Sequence, residues 1–184
     1  MTPIIPSSSK LEILISAGEI SGRVNALAGE IAQKLPSDLM IVSLLRGSFV
    51  FTSDLIRALH MAGTGSIWPQ IDFMTLASYG RGTTSSGTIE VVRDMTEKVD
   101  GRDVLIVDDI LESGRTLAYA RDALMQRNAK SVQVAVLLEK PGKRKVDITA
   151  DFVGFVIPDK FVVGYGLDYA NYYRELPYIG VVTP

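Results

Sequence analysis

Apolar positions along the chain follow two different periods. Ile20, Val24, Leu27, Ala28, Ile31, Ala32 and Leu35 recur every three or four residues, which places their side chains on one face of an α-helix. Just ahead of them, Ser16-Ala17-Gly18-Glu19 has the spacing of a capping box, in which serine and glutamate each satisfy the other's free amide, and Pro36 closes the helix. Leu39 to Leu44 is a continuous apolar run too short for a helix and predicts a strand buried on both faces. Arg46-Gly47 then turns the chain into a second helical pattern through Leu55 and Leu59.

The alternation continues. Ile71 to Ser78 and Thr88 to Val92 read as strands around a loop, Gly80 to Gly87, with almost no apolar anchor. Leu105 to Val107 is again a buried strand, leading through Asp108 to Gly114 into a helix with Leu117, Ala120, Leu124 and Met125 on one side. Val132 to Leu138 and Phe152 to Ile157 are further strands, joined across a polar turn at Lys140 to Lys145. Strands alternating with helices predict an α/β fold: a mostly parallel, twisted sheet with helices on both faces. A single domain over 1–184 is expected, with a core at about 36–157 and a small hood from about 1–15 and 158–184. Ligands of such sheets bind beyond the carboxyl ends of the strands, where the strand order reverses.

Composition narrows the chemistry. With no cysteine and His60 as the one histidine, thiolate chemistry, disulfides and histidine-rich metal sites drop out, and a Ser-His-Asp triad would hang on a single residue. His60 itself reads as structural. The net charge of −2 gives no global positive field for nucleic acid, so any phosphate must be held locally. The apolar runs fall well short of the roughly 20 residues of a membrane helix, and the N-terminus shows no secretory signal. A cytoplasmic location and no membrane partner are expected.

The chemistry concentrates in Val104 to Thr116, VLIVDDILESGRT. An apolar strand delivers Asp108 and Asp109 to its carboxyl end, and Ser113-Gly114-Arg115-Thr116 opens a helix. A helix start carries unpaired amides and partial positive charge and so binds phosphate; Gly114 would let the backbone approach, and Ser113 and Thr116 add hydroxyls. Two carboxylates are good acceptors for a vicinal diol. Together they describe a site for a ribose 5-phosphate. Taken singly, a serine there is usually a cap and paired acids are usually solvated. No GxxxxGK[ST] loop is present, and Gly164-Tyr165-Gly166 lacks the third glycine of a dinucleotide fingerprint.

Asp108 to Thr116 resembles the 5-phosphoribosyl-1-pyrophosphate signature of type I phosphoribosyltransferases. Leu45-Arg46-Gly47, Ile71-Asp72-Phe73, Ser78-Tyr79-Gly80, Ser85-Ser86-Gly87 and the run from Ile157 to Tyr169 resemble the hypoxanthine-guanine branch of that family, so the likeness covers nearly the whole chain. It implies transfer of the phosphoribosyl group to hypoxanthine or guanine with release of pyrophosphate, Mg2+ as cofactor, and a homodimer or homotetramer. Asp108 and Asp109 then take the ribose hydroxyls, which can share a metal, and Ser113, Gly114, Arg115 and Thr116 the 5′-phosphate. Asp168 takes a metal held with pyrophosphate; Arg46, Gly47 and Arg174 line the pyrophosphate site, with a cis peptide bond before Arg46. Lys140 would donate to the 6-oxo group, which disfavours adenine because an ammonium only donates. Phe161 would stack on the purine, and the Val162 carbonyl would meet the base edge. Ser78 and Tyr79 begin a mobile lid that excludes water from the activated sugar.

Two positions depart from the family pattern. Glu112 falls where an aspartate is more common as the general base near N7, and Arg46 where a lysine is common, which changes fork geometry while keeping charge. Plainer readings stand beside these: Asp168 as a turn acid, Lys140 as part of a solvated basic run with Lys143, Arg144 and Lys145, Phe161 as hood core, and the lid as a hairpin tip. A xanthine-using enzyme and a non-catalytic nucleic-acid-binding regulator that senses the sugar pyrophosphate are the alternative functions.

Overall fold

The computed structural model describes residues 10–63, 67–78 and 89–183. Its elements run β1 (Lys10–Ile15), α1 (Ala17–Lys34), β2 (Met40–Leu45), α2 (Phe49–Ala62), β3 (Gln70–Ser78), β4 (Ile89–Arg93), β5 (Asp103–Leu111), α3 (Arg115–Gln126), β6 (Ser131–Glu139), β7 (Phe152–Val156), β8 (Val162–Val163) and β9 (Ile179–Thr183). A six-stranded sheet has the order β4-β3-β2-β5-β6-β7, parallel except for β4. A second, antiparallel sheet, β1-β9-β8, joins the two ends of the chain.

The apolar strands are two-faced, and residue parity decides which helix each side chain meets. Ile41, Leu105, Val107, Ala135 and Leu137 pack with α1 and α2; Met40, Val42, Val104, Ile106, Val134 and Val136 pack with α3. A strand covered on both sides has no polar face, which is why these segments read as unbroken apolar runs. Helix α1 begins with the predicted capping box: the Glu19 amide donates to Ser16 Oγ at 3.3 Å and the Ser16 amide to Glu19 Oε2 at 2.8 Å. Its buried stripe is Ile20, Val24, Leu27, Ala28 and Ile31; each large member contributes roughly 1.5–3 kcal/mol on leaving water.

Strand β5 is longer than Leu105 to Val107. It runs on through Asp108 and Asp109 because Ile110 and Leu111 still pair with Leu138 and Glu139 of β6, so the two acids are held by a sheet ladder rather than by a loop. From β2 the chain moves outward to β3 on one side, then returns to place β5 on the other side of β2. The carboxyl ends of β2 and β5 therefore flank the point where strand order reverses, and a crevice opens between them. No helix among the described residues is long and apolar enough to cross a membrane.

Candidate active site

The turn from β5 into α3 forms the floor of the crevice. Asp108, Glu112, Ser113, Gly114 and Thr116 line a cavity of about 150 Å³. Gly114 is the N-cap of α3 with φ +79°, and no side chain caps the helix. Among the described residues no hydrogen bond uses the amides of Ser113, Gly114 or Thr116, while the Arg115 amide makes a long 3.4 Å bond to Ser113 Oγ. Free amides, the positive end of a helix dipole and two hydroxyls thus converge on one small cavity, the composition of an anion site.

The reason for glycine at 114 differs from close backbone approach to a phosphate. A Cβ there would meet Ile148 Cγ2 at 2.5 Å and Val146 Cγ2 at 3.3 Å. The residue turns its missing side chain toward the β6–β7 connection, in a left-handed conformation that glycine adopts without strain. That connection is itself bolted down by Arg144. Its guanidinium donates to the Leu111 carbonyl at 3.1 Å, the Glu112 carbonyl at 2.8 Å and the Ile148 carbonyl at 3.2 Å, and it pairs with Glu139 at 2.5 Å. Arg144 therefore braces the turn from β5 into α3 from behind.

Asp108 is 9% exposed, which removes the solvated reading for that acid; Asp109 beside it is half-buried. Its Oδ1 accepts the Asp109 amide at 3.0 Å. Burial pushes the Asp108 carboxyl well above the ordinary range, and the Asp109 charge pushes it further. Burial raises Asp109 as well, with part of the effect offset by hydrogen bonding from Asp108 and by the Arg174 charge. A buried and a half-buried acid side by side are poised to gain from a cation or from hydroxyl donors.

Across the crevice, the turn after β2 abuts Asp109. The Leu45-Arg46 peptide bond is cis, as the resemblance implies. A Cβ on Gly47 would lie 1.6 Å from Asp109 Oδ2, so only glycine leaves room for that carboxylate. The Arg46 side chain is exposed, and its carbonyl accepts the Phe49 amide at 3.3 Å. Beneath the turn lies a buried hydroxyl trio absent from the sequence reading: Ser43 Oγ is 2.8 Å from Ser48 Oγ and 2.7 Å from Thr52 Oγ1, and Ser48 donates to the Leu44 carbonyl at 2.5 Å.

The segment after β8 supplies the third wall. A Cβ on Gly166, at φ +103°, would lie 2.1 Å from the Gly47 carbonyl oxygen, so the two backbones touch. Arg174 donates to the Gly166 carbonyl at 2.7 Å and pairs with Asp168 Oδ1 at 2.7 Å, and Asp168 Oδ2 accepts the Asn171 amide at 2.7 Å. Asp168 is thus tied into the site rather than standing as a free turn acid. Among the described residues no three His, Cys, Asp or Glu side chains gather as a metal cage. Tyr165 of the same segment, buried, donates its phenol to Asp54 of α2 at 2.5 Å. Burial and that bond push its ionisation far upward, so it stays a donor.

The proposed base-recognition residues lie beside the floor. Lys140 is 6% exposed, not part of a solvated run; its ammonium is 3.7 Å from Glu112 Oε2 and 4.0 Å from Asp159 Oδ1. The Glu112 side chain is 46% exposed. Phe161 is 53% exposed and meets Tyr169 edge to face at 5.7 Å, so it is a rim aromatic and not hood core. Val162, in β8, is buried opposite Val181. Ser78 ends β3 opposite Ile89 of β4; Tyr79 and the loop Gly80 to Gly87 lie outside the described residues. His60, on α2, packs edge-on to Trp68 at 5.8 Å, away from all of this.

An uncapped helix start, two adjacent acids and a glycine turn meet at the switch point of a parallel sheet. The chain belongs to the phosphoribosyltransferase family: the phosphoribosyl transferase domain matches residues 15–170. Within that family it is similar to hypoxanthine phosphoribosyltransferases. It is 43% identical over 175 residues to the hypoxanthine phosphoribosyltransferase of Escherichia coli K12, covering 94% of this chain and 95% of that protein. It is 44% identical over 174 residues to the hypoxanthine-guanine phosphoribosyltransferase of Bacillus subtilis 168, covering 94% and 93%. It is also 44% identical over 174 residues to the bifunctional protein TilS/HprT of Listeria monocytogenes, of whose length it spans 26%. A crystal structure of the Staphylococcus aureus hypoxanthine phosphoribosyltransferase superimposes with a TM-score of 0.87 at 40% identity, covering 94% of this chain and 91% of that one.

Proposed function

We propose that the protein transfers the 5-phosphoribosyl group from 5-phosphoribosyl-1-pyrophosphate to hypoxanthine or guanine, giving IMP or GMP and pyrophosphate. One observation carries the reading: Ser113, Gly114 and Thr116, whose amides make no hydrogen bond among the described residues, line the same cavity as the buried Asp108. Only a ligand with an anion and hydroxyls a few ångströms apart uses both. The relatives named for hypoxanthine and guanine give the base class, and Lys140 beside Phe161 supplies a donor and a stacking face suited to a 6-oxopurine.

In this reading Ser113, Gly114, Arg115 and Thr116 bind the 5′-phosphate, and Asp108 and Asp109 orient the ribose through its hydroxyls. Gly47, with Arg46 through its backbone, and Arg174 hold the pyrophosphate. As N9 of the base bonds to C1 of the ribose, the C1–oxygen bond to pyrophosphate breaks and the electron pair leaves with that oxygen. Glu112 accepts the proton released from N7, a role supported by its carboxylate lying 3.7 Å from the Lys140 ammonium. Fixed charges placed in advance at both ends of the breaking bond lower the barrier. Asp168 and the Asp108-Asp109 pair offer only oxygen ligands, which fits Mg2+, an ion that takes one or two carboxylates alongside water and phosphate oxygens. When bound, Mg2+ neutralises the charge of the leaving pyrophosphate. The same reading takes 1–184 as one domain with its hood at about 1–15 and 158–184, Ser78 and Tyr79 as the start of the lid, Val162 as a backbone contact to the base, and the protein as a homo-oligomer.

The test supplies 5-phosphoribosyl-1-pyrophosphate and Mg2+ with hypoxanthine, guanine, xanthine or adenine in turn and follows nucleotide formation. Product from hypoxanthine or guanine, abolished by a chelator and restored by Mg2+, is expected. Adenine used as well as hypoxanthine would refute the recognition scheme; no product from any base would favour a sensor of the sugar pyrophosphate.

A further inference from the structure

The β6–β7 connection carries Lys140, Lys143, Arg144 and Lys145, and these four cations have different fates. Arg144 is bonded to backbone carbonyls and to Glu139, and Lys145 is exposed. Lys140 is buried, with its ammonium 3.7 Å from Glu112 and 4.0 Å from Asp159. These contacts balance its charge, yet both exceed hydrogen-bond length, so among the described residues its three donors have no hydrogen-bond acceptor. The more exposed Lys143 meets the other oxygen of the same aspartate, with Nζ 2.5 Å from Asp159 Oδ2. One carboxylate thus lies between two ammonium groups and bonds only the outer one.

Asp159 is held in a tight turn, in which the Lys160 amide donates to the Pro158 carbonyl at 2.8 Å, two residues before Phe161. The Lys143-Asp159 bridge therefore joins the two walls that carry the donor and the stacking aromatic. With the outer cation gone, Asp159 would have to travel only about 1.2 Å, from 4.0 Å to a charge-assisted bond of about 2.8 Å, to close on Lys140. Lys140 is the nearest remaining cation, and closure would commit one of its donors and pull its head toward the rim.

We propose that Lys143 is a positioning residue for base recognition: by holding Asp159 outward, it keeps the Lys140 ammonium free to meet the 6-oxo group of the purine. The inference rests on the reading of Lys140 as the 6-oxo donor. A basic residue at 143 then tunes the affinity for the base without touching it.

The experiment measures kcat and both KM values for the full chain. Lys143→Met is expected to raise KM for hypoxanthine about tenfold, the effect of one compromised hydrogen bond to a charged group, with KM for 5-phosphoribosyl-1-pyrophosphate within about twofold. Lys143→Arg keeps the bridge and should keep the wild-type KM. Removing the competitor as well, in Lys143→Met/Asp159→Ala, should bring KM for hypoxanthine back toward wild type, which a purely structural bridge would not do. An unchanged KM in Lys143→Met, or a double variant no better than the single one, overturns the proposal. Lys140→Met separates the two levels. If it leaves KM for hypoxanthine unchanged, the base-site reading itself fails; if it raises that KM while Lys143→Met does not, only the role of Lys143 falls.

Discussion

Gly47→Ala tests the crevice most directly. The added methyl would sit 1.6 Å from Asp109 Oδ2 and 2.6 Å from its Cγ, where ordinary contact begins at 3.4 Å. The carboxylate oxygen must retreat by about 1.8 Å, the difference between 3.4 and 1.6 Å. Neither Gly47 nor its neighbours have a left-handed backbone, so alanine brings no conformational strain and the damage is local crowding. Overpacking of this kind costs about 1–3 kcal/mol, a fall of roughly 2–12 °C in Tm for a chain of this size. With Asp109 orienting the ribose as proposed, activity should suffer more, because a positioning group misplaced by about 1 Å loses about 10²-fold. The assay is kcat/KM for 5-phosphoribosyl-1-pyrophosphate at saturating hypoxanthine, with thermal unfolding alongside. Asp109→Ala gives the reference, and Gly47→Ala/Asp109→Ala should be little worse than Asp109→Ala alone, since the methyl then has nothing to displace. A single variant within about threefold of wild type, or a double variant losing the product of the two single effects, would refute the reasoning.

Three further outcomes follow from the same geometry. Arg144→Met removes the bonds to the Leu111 and Glu112 carbonyls and should cost about 2–4 kcal/mol in denaturant unfolding, while raising KM for the sugar pyrophosphate more than KM for the base. Asp108→Asn should stabilise the ligand-free protein at neutral pH. The raised carboxyl means that the folded state holds more protons than the unfolded state between the ordinary Asp value and the raised one, so stability falls as pH rises through that window; the advantage of the variant should shrink below it, and a constant difference across pH would contradict this. Gly166→Ala places a methyl 2.1 Å from a backbone oxygen at φ +103° and should destabilise by roughly 2–5 kcal/mol, strain and crowding together, read as a lower denaturation midpoint.

Local patterns carried much of this structure into the sequence. The Ser16-Glu19 capping box, the helical stripe of α1 and the apolar runs of β2, β5 and β6 are visible because each is set within a few residues. The strand end, the two acids and the uncapped helix start of the Asp108 to Thr116 run are legible for the same reason, since they lie in one stretch. What stayed hidden depends on partners far away in the chain. Arg144 looked like one cation of a basic run, and nothing local shows that its guanidinium reaches carbonyls 32 and 33 positions earlier. Gly114 was legible as a glycine of the motif, but the Ile148 methyl behind it was not. Lys140 and Lys143 are alike in sequence; burial alone separates them. The Ser43, Ser48 and Thr52 hydroxyls sit within apolar surroundings where their mutual bonding gives no sequence signal.

The backbone contact between Gly47 and Gly166 has a consequence for engineering. Segments more than a hundred positions apart meet there without any side chain as spacer, so the turn after β2 and the segment bearing Asp168 and Arg174 are in direct backbone contact. A chimera that borrows its cap from another member of the family would need glycine on both sides of that seam, and a directed-evolution library that randomised either position would return glycine before it returned a new specificity.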